Sequence, residues 1–255
     1  MRTDFDGAYK VWTYLHSTAL LLLTVAVTPL FTLSEGLLFW FLAPYTVFIL
    51  LRLYHIGGWG QRSLADLLTA SRGIGAALLF LWAALIPYYP DLTGPGWRWS
   101  LVAFLAAVEA TDFFDGRVAR RRGSRRFGAV WDMENDALFI FALTLVGWIY
   151  LGFPVWALLI GLMRYAYFLI FRTTGDPPGY PAAYKWFAKS VAALIALSLL
   201  VAYLPELGET ATRLLLAPVL SLQLISFGWD LLLQIRAGRV SLLETGIAGK
   251  VETGR

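Results

Sequence analysis

The chain has 255 residues, of which 58% are hydrophobic and only 15% are charged, and its mean hydropathy is +0.64. A soluble domain is typically about one quarter charged and less than half apolar, so this composition excludes an ordinary soluble domain. The absence of cysteine excludes disulfides, thiol catalysis and cysteine-ligated zinc or iron–sulfur sites. The formal net charge of +4 is modest, and the distribution of the charges is more informative than their sum.

Apolar runs recur along the whole chain, and a run of about 20 residues is enough to cross the hydrocarbon core of a bilayer. The pattern predicts an all-α, polytopic membrane bundle with about eight transmembrane helices. In chain order the predicted spans are 11–33, 36–51, 63–89, 97 into the motif at 112, 129–151, 155–171, 184–203 and 214–235. The polar tail that follows is expected to be frayed.

The basic residues predict the orientation of the bundle. If the loop 117–126 is cytoplasmic, alternation through eight spans places both termini inside. Of the 21 Lys and Arg residues, only Arg98 and Arg213 then fall outside. This asymmetry is typical of the positive-inside rule, and it predicts a multi-pass protein with both termini and the 117–126 loop in the cytoplasm.

Four aspartates flank that loop. Asp112 and Asp115 are three residues apart and share one helix face, and Asp132 and Asp136 are four apart on the next helix. Two helices joined by a short loop are antiparallel neighbours, so the four carboxylates are expected to converge at the cytoplasmic mouth. A single aspartate at a helix start is usually a cap, but that role does not explain four of them with glycines interspersed.

Converging carboxylates repel one another unless a cation binds them. An all-oxygen ligand set favours Mg²⁺, Mn²⁺ or Ca²⁺, and the arginines between 117 and 126 suit a polyanionic ligand. Metal-binding carboxylates beside arginines indicate phosphate chemistry. The last four arginines of the loop are explained equally well as determinants of topology; they are Arg121, Arg122, Arg125 and Arg126.

The stretch 112–136 resembles the signature of the CDP-alcohol phosphotransferase family, which reads Asp, two residues, Asp-Gly, two residues, Ala-Arg, a spacer, Gly, three residues, Asp, three residues, Asp. The matching residues are Asp112, Asp115, Gly116, Ala119, Arg120, Gly128, Asp132 and Asp136. Upstream, residues 66–72 (Asp-Leu-Leu-Thr-Ala-Ser-Arg) are similar to the family's Asn-Leu-Leu-Thr-x-x-Arg. The resemblance implies a six-helix catalytic core over 63–236. The two helices predicted in 1–62 lie outside the resemblance, and a polar cytoplasmic tail is expected over 237–255.

The family moves a phosphatidyl-type group from a CDP-linked lipid, or an alcohol phosphate from a CDP-alcohol, to an acceptor hydroxyl and releases CMP. The resemblance implies a phospholipid-synthesis transferase that depends on Mg²⁺ or Mn²⁺. It assigns metal binding to Asp112, Asp115 and Asp132, and it makes Asp136 the general base beside the metal, within the same metal-binding set. Contacts to the nucleotide are implied for Gly116, Ala119, Arg120, Gly128, Thr69 and Arg72.

The acceptor is less readable from the sequence. Arg164 and Lys189 lie deep enough in the sixth and seventh spans to face the aspartates, and two cations there would suit an acceptor that is itself a phosphate ester, such as glycerol 3-phosphate or an inositol phosphate. Glu134 is expected to point away from the aspartates. Membrane lipids are expected partners, a homodimer is possible, and no nucleic acid is expected.

Two alternatives remain open at this stage. The aspartates could form the ion site of a transmembrane cation transporter, or the chain could be a non-catalytic, lipid-binding homologue. The acceptor, the exact lipid donor, the choice between Mg²⁺ and Mn²⁺ and the role of the first two helices are not determined by the sequence.

Overall fold

The computed structural model describes residues 2–30, 35–56, 64–119, 126–173, 179–237 and 240–242. Across these residues the chain forms eight α-helices, as the hydropathy pattern predicts. They are α1 (Arg2–Leu30), α2 (Glu35–Ile56), α3 (Leu64–Leu85), α4 (Pro95–Ala119), α5 (Arg126–Tyr150), α6 (Leu158–Ile170), α7 (Ala182–Ala202) and α8 (Glu209–Arg236). Two short 3₁₀ helices, Pro90–Thr93 and Val155–Ala157, precede α4 and α6.

Five segments in the described part of the chain are long and apolar enough to cross a membrane. They are Gly36–Ile56, Leu68–Leu85, Phe127–Tyr150, Ala182–Ala202 and Glu209–Arg236. A shorter apolar stretch, Val155–Ile170, lies between the third and the fourth of these. The predicted all-α membrane bundle is therefore confirmed, while the count of eight spans stays a prediction.

The fifth helix lies at the centre of the bundle. It packs against α3 on one side and α6 on the other, and α3 also packs against α2 and α4. The residues of α5 from 137 to 147 are almost all buried, because an apolar helix surrounded by other helices has no face left for lipid. The α7–α8 pair lies further out and exposes many large apolar side chains.

Glycines allow α5 to approach its neighbours closely. A Cβ added at Gly161 of α6 would lie 2.7 Å from the Cα of Phe141 and would also collide with the hydroxyl of Thr144. On the opposite side, a Cβ at Gly73 of α3 would collide with the side chains of Asn135 and Leu50. Small residues at such contacts let helix backbones pack closely within a membrane.

The tail departs from the sequence-based expectation. Residues Val240–Leu242 form a strand, β2, that pairs antiparallel with β1, Phe171–Thr173, directly after α6. The expectation of a frayed tail was wrong for these three residues, since the backbone groups on one edge of β2 pair with β1. The ladder lies where α6 and α8 end.

The Gly161 contact leads to a test of the packing. We expect Gly161→Ala to destabilise the fold by about 1–3 kcal/mol, because the new methyl group overpacks the α5–α6 contact. The measurement is the midpoint of thermal unfolding in detergent. Gly228→Ala in α8 is the matched control, since a Cβ there has no atom within 4 Å and alanine favours a helix over glycine. Equal midpoints for the two variants would contradict the close α5–α6 packing.

Candidate active site

Three helices bring the predicted site residues to one end of the bundle. The start of α3, the end of α4 and the start of α5 lie there, because consecutive helices run antiparallel. Arg72 lies about 12 Å along α3 from its first residue, and Asp132 lies about 9 Å along α5. The site is therefore a few helical turns inside the bundle, near its end.

Arg72 binds both carboxylates of α5. Its Nη2 donates to Oδ1 of Asp132 at 2.5 Å, and its Nη1 donates to Oδ1 of Asp136. The hydroxyl of Thr69 lies 3.4 Å from the same Asp132 oxygen. The Arg72 side chain is only 5% exposed, whereas those of Asp132 and Asp136 are 45% and 38% exposed. The guanidinium thus forms the floor of the site, and the two carboxylates remain accessible to a ligand.

This arrangement solves an electrostatic problem. Carboxylates four residues apart on a helix are neighbours and repel each other, and the planar guanidinium between them can bond to both at once. A buried arginine is itself costly unless it is paired. The ion pairs therefore stabilise the arginine and hold both aspartates in one orientation.

A hydrogen bond between α3 and α4 places the other half of the motif nearby. The hydroxyls of Ser71 and Thr111 are 2.7 Å apart. These two residues directly precede Arg72 and Asp112 in the sequence. The last turns of α4 are therefore fixed against the part of α3 that carries Arg72.

Several predicted site residues lie where side chains are not described. The structure gives only the backbone of the last turns of α4, which contain Asp112, Asp115, Gly116 and Ala119, and Arg120 lies outside the described residues. Gly128 lies in the first turn of α5, one turn before Asp132. Among the residues whose side chains are described, no group of three or more His, Cys, Asp or Glu is placed to hold a metal ion.

The two acceptor candidates lie in different surroundings. Arg164 of α6 forms an ion pair with Glu134 and does not pair with Asp132 or Asp136. Lys189 is exposed on α7 and forms no ion pair with either aspartate. Their roles toward an acceptor stay predictions, and only Lys189 has its charge available to a new ligand.

The partnership of Glu134 with Arg164 was missed by the sequence analysis, which correctly expected Glu134 to point away from the aspartates. Glu134 is fully buried. Ionisable residues in membrane helices usually pair with each other, so Glu134, which faces away from the other two acids of α5, and the single base of α6 each indicated that a partner was needed.

A second overlooked residue is Asp230 of α8. It accepts hydrogen bonds from the hydroxyls of Tyr167, at 2.6 Å, and Tyr184, at 3.3 Å. Burial, together with a hydrogen bond to Asp230, raises the pKa of Tyr180 in the loop before α7. The carboxylate thus joins α6, α7 and α8 at the end of the bundle that contains the site.

Comparison with known proteins gives one match. The family model for CDP-alcohol phosphatidyltransferase matches residues 62–233, more than half of the chain. No curated protein and no solved structure matched the chain. The matched range contains Arg72, Asp132 and Asp136, whose side chains the structure brings together. The chain therefore belongs to the CDP-alcohol phosphatidyltransferase family, whose members are membrane transferases acting on CDP-alcohols.

Proposed function

We propose that the chain transfers a phosphatidyl-type group from a CDP-linked lipid to the hydroxyl of a polar acceptor, releases CMP and depends on a divalent metal ion. The observation that carries this proposal is the pair of accessible carboxylates, Asp132 and Asp136, held by the buried Arg72. The backbone of α4 brings Asp112 and Asp115 toward the same end of the bundle.

The described donors suit a hard cation. Asp132 and Asp136 offer carboxylate oxygens, Thr69 adds a hydroxyl beside Asp132, and an all-oxygen set of this kind favours Mg²⁺ or Mn²⁺. Asp112 and Asp115 would complete the set from α4. When bound, the ion would stabilise negative charge on the donor diphosphate.

The chain's own residues supply the rest of the reaction. Arg72 occupies Oδ1 of Asp136, which leaves Oδ2 to take the proton of the acceptor hydroxyl as general base. The acceptor oxygen bonds to the phosphorus nearer the lipid, the bond from that phosphorus to the bridging oxygen breaks, and CMP leaves with the electron pair. Gly116, Ala119 and Gly128 would let the cytidine approach the backbone, with Arg120 and Thr69 as polar contacts.

The distribution of Lys and Arg supports a cytoplasmic site with both termini inside. A nucleotide-linked donor would be available on that side. The cation-transporter alternative would need carboxylates near the middle of the membrane, whereas Asp132 lies only about 9 Å along α5. Metal flux into proteoliposomes without any CDP-linked lipid would favour that alternative.

The base is tested by Asp136→Asn. We expect the rate of CMP release from a CDP-linked lipid to fall by about 10²–10⁴-fold, since the amide cannot accept the acceptor's proton. Asp91→Asn is the control, because Asp91 is exposed in the 3₁₀ helix between α3 and α4. Full activity of Asp136→Asn would refute the proposed mechanism.

Metal dependence is tested by removing the ion. We expect EDTA to abolish CMP release and added Mg²⁺ or Mn²⁺ to restore it, because the donor diphosphate would lose its charge compensation. The readout is CMP formed with time, measured on the same sample before and after chelation. A rate that is unchanged in excess chelator would rule out a metal-dependent reaction.

The acceptor class is tested through Lys189. We expect Lys189→Gln to raise KM about tenfold for a phosphate-ester acceptor, such as glycerol 3-phosphate or an inositol phosphate, since a hydrogen bond to a charged group contributes about 1.5–3 kcal/mol. Lys185→Gln, one turn earlier on α7 and also exposed, is the control. An enzyme that uses only acceptors without a phosphate group, such as serine, would contradict this acceptor class.

A further inference from the structure

The buried carboxylate of Glu134 joins three helices. The hydroxyl of Tyr9, on α1, donates to Oε1 of Glu134 at 2.7 Å. Nη2 of Arg164, on α6, pairs with the same oxygen and also donates to the Tyr9 hydroxyl at 3.2 Å. The three side chains form a closed polar triangle between α1, α5 and α6.

Aromatic side chains surround the carboxylate of this triangle, whereas the Arg164 side chain keeps 23% exposure. Glu134 is fully buried, and Tyr165 and His16, which lie against each other beside it, are 1% and 2% exposed. The ring of Trp12 stacks on that of Tyr9 at 6.1 Å. Polar bonds in such surroundings are stronger than bonds exposed to water, and breaking one partner of a buried charged pair is costly.

The helix that supplies Tyr9 is not part of the family match. Residues 62–233 match the family, whereas α1 spans Arg2–Leu30. The packing of α1 is chiefly against α6 and α2. The Tyr9 hydroxyl therefore gives this additional helix a direct polar link to α5, the helix with the candidate catalytic base.

Helix geometry couples that link to the aspartates. Glu134 lies two residues from Asp132 and two from Asp136, which is a rotation of about 200° around α5 in either direction. Glu134 therefore points away from the site on the opposite face. Any rotation of α5 that displaces Glu134 displaces both aspartates by a similar distance in the opposite direction. A displacement of about 1 Å at reacting groups can cost about 10² in rate.

We propose that Tyr9 is a positioning residue. Its hydrogen bond to Glu134, on the face of α5 opposite the site, fixes the rotation of α5 and so the placement of Asp132 and Asp136 for the reaction. This inference rests on the proposed function. It gives α1 a role in catalysis without contact between α1 and the substrate.

Tyr9→Phe tests the inference, because it removes the hydroxyl and keeps the ring. Tyr14→Phe is the matched control, since Tyr14 lies on the same helix and packs on Phe168 of α6 without a hydrogen bond from its hydroxyl among the described residues. We expect Tyr9→Phe to lower kcat for CMP release about tenfold and to leave KM for the CDP-linked lipid within about twofold. Tyr9→Phe should unfold at a somewhat lower temperature than Tyr14→Phe, because a buried hydrogen bond is lost, and it should remain fully folded at the assay temperature.

A second readout does not depend on activity. Backbone hydrogen exchange at residues 128–136 should be faster in Tyr9→Phe than in the wild type or in Tyr14→Phe, because the start of α5 has lost the hydrogen bond from Tyr9.

If the wild type is active and the two variants match in kcat and exchange, the inference fails and the proposed function stands. A kcat loss that only follows a loss of folded protein also overturns the inference. A wild type that releases no CMP from any CDP-linked lipid refutes the proposed function, and the inference falls with it.

Discussion

Carboxylates project from two opposite faces of the fifth helix, and each face is paired with an arginine from a different neighbouring helix. Arg72 of α3 holds Asp132 and Asp136, and Arg164 of α6 holds Glu134. An unpaired charge inside a helical bundle is expensive, so neither α3 nor α6 can shift against α5 without breaking an ion pair. These two opposed constraints define the orientation of the helix on which the proposed chemistry depends.

The ion pairs occur between helices that pack closely. Gly73 and Gly161 remove side-chain volume on the two sides of α5, which lets a guanidinium from each neighbour reach a carboxylate directly. Close packing and charge pairing therefore support each other in this core. The exposed outer faces of α7 and α8 do not need this close packing, and their large apolar side chains suit contact with lipid tails.

The sequence predicted what depends on composition and local spacing. The length of the apolar runs predicted the helices, because the thickness of a bilayer sets the length of a transmembrane span. The motif and the upstream stretch singled out Asp132, Asp136 and Arg72, whose side chains the structure brings together.

What depends on tertiary pairing could not be predicted. Periodicity showed that Glu134 faces away from the aspartates, but it could not name Arg164 or Tyr9, which are 30 and 125 residues away. The β1–β2 ladder was missed because three-residue strands carry too short a pattern to recognise.

The range of residues that the family model matches is shorter than the folded unit. The family match covers residues 62–233, yet Tyr9 contacts α5 from before that range and Val240–Leu242 pairs with β1 from beyond it. A chain trimmed to the matched range would keep every motif residue and lose both contacts. The short ladder also links the exit of α6 to the exit of α8, so the segment between them is closed by backbone pairing as well as by helix packing. In this protein, one segment before the family match and one segment after it therefore contact the matched core.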